Sequence, residues 1–145
     1  MPSWSANDLP FLVPGNHVET SPTDGNYNCI AWAANDQFNW WWPGEDGYWP
    51  DFAPREETVE AFVAMFRGLG YTECENGELE LGFEKVAIYA VRSAGRLEPT
   101  HTARQLIDGK WTSKLGPLED ISHDALDGVN GPVYGSAVRY MRRSR

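Results

Sequence analysis

A chain of 145 residues, 41% apolar and 13% aromatic, has the length of one domain and enough hydrophobic side chains to fill one core. Its formal net charge of −9 argues against a nucleic-acid partner, and no stretch approaches the roughly 20 apolar residues of a membrane span. Two cysteines in unlike settings, Cys29 and Cys74, point to free thiols and a reducing, cytoplasmic location, and the first 14 residues lack the basic start and unbroken apolar run of a signal peptide.

Residues 1–26 are rich in Pro, Gly, Ser, Asn and Asp and read as an irregular arm lying over a single domain that spans 1–145. Asn28 is a favoured helix cap, so a first helix is expected from Cys29 onward, with the cysteine in its first turn. A loop over 39–54 carries Trp40, Trp41, Trp42 and Trp49. The spacing of Val59, Phe62, Val63 and Phe66 predicts an amphipathic helix over about 54–69, with Glu56, Glu57 and Glu60 in its first turns and Gly70 at its end.

Beyond Gly70 the pattern turns to strands. Tyr71 to Cys74 forms a short one, and Lys85 to Val91, apolar on both alternating faces, suits the centre of a sheet. Ser93-Ala94-Gly95-Arg96 reads as a hairpin turn, followed by a strand from Thr100 to Leu106, a turn at Asp108-Gly109 and a returning strand from Trp111 to Lys114. Alternation over 136–142 suggests a last strand. The expected fold class is therefore α+β, a cysteine-bearing helix and a second amphipathic helix followed by an antiparallel sheet of about five strands.

Charge follows the same division. Residues 1–84 hold 15 acidic and 2 basic side chains, residues 85–145 hold 6 acidic and 10 basic. Arg139, Arg142, Arg143 and Arg145 read as a solvated strand face and terminus. Arg104, Lys114 and His123 have two readings, as binders of an anionic substrate or as cations bonded locally to loops.

A thiol attacks as the thiolate, which a helix N-terminus and a nearby imidazole both favour. Cys29 has the first. Among His17, His101 and His123, the second is best supplied by His101, which sits near the start of a core strand, whereas His17 falls in the arm and His123 in a loop. Asn26 or Asn28 would add an oxyanion donor beside the Cys29 amide. The hairpin closed by Asp108-Gly109 returns Ser113 toward His101, where it would orient the ring. Trp41 and Trp42, with Lys114 and His123, are the candidate substrate-binding residues. No metal and no cofactor are expected, because no cysteine or histidine pair has ligand spacing.

Tyr27-Asn28-Cys29-Ile30-Ala31-Trp32-Ala33, Trp40-Trp41-Trp42-Pro43, and the run from His101-Thr102-Ala103-Arg104-Gln105-Leu106 through Asp108-Gly109-Lys110-Trp111-Thr112-Ser113-Lys114-Leu115-Gly116 resemble an uncharacterised bacterial domain family. That family in turn resembles, distantly, the papain-like and NlpC/P60-like cysteine peptidases. The resemblance implies a papain-like fold and a thiol hydrolase or acyltransferase site at Cys29 and His101, acting on a peptide, amide or ester. The competing expectation is a catalytically inactive module of that fold that binds a protein partner through the Trp-rich loop at 40–49, in a setting such as a toxin–immunity pair. Under either reading neither nucleic acid nor membrane is a partner.

Overall fold

A computed structural model describes residues 4–145. In chain order the strands are β1 (His17–Glu19), β2 (Thr72–Cys74), β3 (Phe83–Ser93), β4 (Arg96–Gln105), β5 (Trp111–Lys114), β6 (Asp120–His123) and β7 (Ser136–Ser144). Helices α1 (Cys29–Ala33) and α2 (Val59–Gly68) precede most of them, and a 3₁₀ turn at Leu126–Val129 follows β6. The strands form one antiparallel sheet in the order β1-β6-β5-β4-β3-β7-β2.

β3 lies inside this sheet between β4 and β7 and is buried from Lys85 to Ala90. Because side chains alternate across a strand, a run with no polar face must be covered on both sides. Val86, Ile88 and Ala90 pack under α1, α2 and the tryptophan loop, together with Phe62, Met65, Phe66 and Met141. Ala87 and Tyr89 pack on the opposite side with Ala103, Trp111 and Ile121, beneath Leu9 and Leu12 of the N-terminal arm and Val129 of the 3₁₀ turn. The molecule is thus three layers deep, helices and loop on one face, sheet, arm on the other.

This corrects the expected papain-like α+β fold with about five strands: the chain is mostly one seven-stranded antiparallel sheet carrying two short helices. The two strands beyond the expected five are β1 and β6, paired with each other through His17↔His123 and Glu19↔Ile121. Each has only three or four residues and a single aliphatic side chain, too few to show a period. Helix α2 begins at Val59 rather than near Pro54, because the Thr58 side chain accepts from the Ala61 amide and caps it there. No helix among the described residues is long and apolar enough to cross a membrane.

The β3–β4 hairpin closes through a two-residue turn in which Ala94 (φ 51°) and Gly95 (φ 78°) both adopt left-handed conformations. Glycine accepts this freely, whereas alanine does so at a cost that asparagine lowers. Ala94 is exposed. Ala94→Asn is expected to raise stability by about 0.5–1 kcal/mol in urea unfolding, and an unchanged or lowered midpoint would contradict the assignment of strain to this residue.

Candidate functional site

Cys29 opens α1, and the residue before it fixes how. The Asn28 side chain accepts from the Ala31 amide, capping the helix, and also from the Trp41 amide at 3.1 Å, while its Nδ2 donates to the Trp41 carbonyl at 2.7 Å. This one side chain therefore ties the tryptophan loop to the helix start. Thr102 of β4 donates its hydroxyl to the Cys29 carbonyl at 3.1 Å, which seats α1 on the sheet.

Cys29 as a residue is 5% exposed. Burial pushes its thiol up to about 11, against the smaller downward pull of the Thr102, Ile30 and Cys29 amides and of the Lys114 charge. A five-residue helix has little dipole with which to offset that. Cys29 is consequently a neutral thiol near pH 7. It forms part of a cleft of about 310 Å³ lined also by Asn28, Trp40, Trp42, Thr100, Gly116 and Tyr134.

His101 lies one residue before Thr102, so its side chain leaves the strand in the other direction. Its ring stacks on Tyr134 at 4.0 Å, meets Tyr89 edge-on at 5.1 Å and hydrogen-bonds through Nε2 with Ser113 Oγ at 2.9 Å. Ser113 Oγ in turn lies 2.8 Å from His123 Nε2, and His123 Nδ1 lies 2.8 Å from the Ala125 carbonyl. Since that carbonyl only accepts, Nδ1 of His123 carries a proton and its Nε2 accepts from Ser113; the Ser113 oxygen then accepts from a protonated Nε2 of His101. The Nδ1 of His101 is left as an enclosed acceptor with no donor.

Sequence reasoning joins Ser113 to His101, and the structure places these two in contact; it adds His123, expected in a loop and found instead at the end of β6. It does not bring Cys29 to them. Cys29 packs on the helix face of the sheet, His101 and Ser113 on the arm face, and no hydrogen bond links the thiol to the ring. Tyr134 is common to both surroundings, stacked on His101 and lining the Cys29 cleft.

The other candidate residues divide similarly. Asn28 has its amide committed to Trp41, and Asn26 is exposed beside a separate recess with Tyr27 and Phe38. Trp41 is buried, its indole N–H donating to Asp36 at 2.7 Å. Trp42 is half-buried against Phe62, with its N–H on Glu57 at 2.8 Å, and one side of it reaches the cleft. Lys114, fully buried, donates to the carbonyls of Asp24, Gly116 and Leu118 and lies over the Tyr27 ring. It fastens the arm to the sheet. Trp40, from the tryptophan loop expected to bind a partner, completes the cleft with Thr100 and Tyr134, which escaped sequence reasoning as site residues; the Tyr134-Gly135 pair offered a signal only through Gly135, whose φ of +71° lets the chain pass the Ala90 carbonyl where a Cβ would stand 2.0 Å away. Among the described residues no group of three His, Cys, Asp or Glu side chains is arranged to hold a metal.

Burial, and then the charge of His123, lowers His101 well below its usual 6.5; burial also lowers His123. Both imidazoles stay neutral in the fold at pH values where the unfolded chain takes up protons. Their contribution to stability is therefore complete above pH 6.5 and is lost as pH falls below it, by up to about 1.4 kcal/mol per pH unit for each ring. Urea unfolding between pH 7.5 and 5.5 should show this decline, and His123→Gln should make it shallower; a flat profile in the unaltered chain would contradict the burial of neutral rings.

Comparison with families identifies a match over residues 18–142 to a domain of unknown function, DUF7689. Comparison with curated proteins and with solved structures found no match. The expected uncharacterised domain family is thereby shown, without any accompanying likeness to cysteine peptidases. Spanning both faces of the sheet, from β1 into β7, the match covers most of the chain, which belongs to the DUF7689 family.

Proposed function

We propose that this domain is a binding module that takes an apolar side chain of a protein or peptide partner into the cleft between Trp40, Trp42 and Tyr134. The observation that carries this reading is an open, indole-walled cleft whose thiol is neutral and has no imidazole partner. Trp40 keeps 39% of its surface exposed at the rim, and an aromatic rim of this kind binds by area and ring contact without needing a charged group. The acidic side chains of the first 84 residues would favour partners of positive charge.

A thiol hydrolase is the second reading. What favours it is the relay from His123 through Ser113 to His101, which holds one ring nitrogen and leaves the other as a free acceptor, next in sequence to the Thr102 amide beside Cys29. Catalysis would require the ring to cross to the thiol, and the thiol to ionise.

Titration with N-acetyl-phenylalaninamide and N-acetyl-leucinamide, followed by aromatic NMR shifts, separates the two. Trp40→Ala and Trp42→Ala are expected to weaken binding about tenfold, and Cys29→Ala to leave it unchanged. Retained binding in both tryptophan variants would contradict the module; turnover of thioester or amide substrates that disappears in both Cys29→Ala and His101→Ala would establish the hydrolase instead.

A further inference from the structure

Of the three basic residues that sequence reasoning grouped on the sheet, Lys114 and His123 bond locally, as described above. Arg104 does not. It lies on β4 opposite Val86 and Thr112, on the helix face, with its guanidinium carbon 5.4 Å from the centre of the Trp32 ring. Among the described residues it makes no hydrogen bond and no ion pair, and its Nε is enclosed without an acceptor. A half-buried guanidinium with five donors and no acceptor is unusual, because such groups are ordinarily paired.

Its surroundings explain why no carboxylate of the chain serves it. The charged neighbours of Arg104 are Glu84, Arg143 and Arg145, with the Tyr71 phenol close by. Glu84 is already occupied. It accepts from Arg143 Nε and from the Tyr71 hydroxyl at 3.3 Å, and pairs with Arg145 at 3.6 Å. Arg143 is further held by the Leu69 carbonyl at 2.7 Å and by the Tyr71 ring. Glu84 is thus taken up by Arg143 and Arg145, and Arg104 stands near it without an ion pair. The comparable group on the other face of β3, where Lys85 and Arg142 share Glu80, has no such leftover cation.

We infer that Arg104, backed by Trp32 and flanked by Arg143 and Arg145, is the centre of an oxyanion site of phosphate class, separate from the cleft at Cys29. A planar guanidinium fork matches two oxygens of one phosphate, and the neighbouring Trp32 ring limits the freedom of the Arg104 side chain, so the pairing loses little more. Crowding by like charges makes an added anion more favourable there than at an isolated surface arginine. The site does not depend on the reading of the tryptophan cleft.

Calorimetric titration of the full chain with inorganic phosphate, at low ionic strength in a cationic buffer with chloride, tests this. Saturable binding at one site is expected, weakened about tenfold or more in Arg104→Gln and several-fold in Arg104→Lys, which keeps the charge and the packing but loses the fork. Arg92→Gln, at the far end of β3, should bind as the unaltered chain does. Acetate should bind more weakly than phosphate. The inference is overturned by absence of saturable phosphate binding, by Arg104→Gln and Arg104→Lys titrating like the unaltered chain, by equal weakening in Arg92→Gln, or by acetate binding as tightly as phosphate.

Discussion

Each buried side chain of β3 and β4 belongs to one of two covered faces, and between neighbouring residues the two-residue alternation of the strand leaves no third option. In β3, Ile88 and Tyr89 are both buried, yet the first packs under the helices and the second under the arm. The same rule separates Thr102 from His101 on the neighbouring strand. Thr102 holds the start of α1, and His101 looks into a layer of Tyr89, Tyr134, Ser113 and His123. A thiol and an imidazole that are adjacent to the same strand are therefore held in different compartments.

Burial on both faces also sets the chemistry within each compartment. Removing water disfavours charge, so Cys29 rises to about 11 and His101 falls well below 6.5. Polar side chains that remain inside are spent on connections. Asn28 fastens the tryptophan loop, Lys114 fastens the arm through three carbonyls, and the Tyr27 hydroxyl reaches the Asp120 carboxylate at 2.9 Å. These groups have the composition of a catalytic site and do the work of fasteners, which a residue-type reading of the sequence does not distinguish.

Periodicity made the elements with long patterns legible. The apolar run from Lys85 to Val91 implied a two-sided strand, the spacing from Val59 to Phe66 implied α2, and Asn28 implied the start of α1. Three-residue β1 and four-residue β6 carry no readable period, and they owe their place to pairing with each other and with β5. Ser113 was legible as a neighbour of His101 because the Asp108-Gly109 turn fixes the direction of the return. What a single strand pattern does not reveal is which face α1 covers: the choice between the Thr102 side and the His101 side is made by Trp32, whose N–H finds Thr112 at 2.9 Å, and by the Thr102 hydroxyl. The separation of Cys29 from His101 follows from that choice.

The pH dependence of Cys29 alkylation by iodoacetamide, in Cys74→Ser so that one thiol is followed, measures this separation most directly. The expected profile stays slow through neutral pH, rises toward an inflection at about 11 and does not change in His101→Ala. An inflection below pH 7 that shifts when His101 is replaced would contradict it, by showing that the ring holds the thiolate after all.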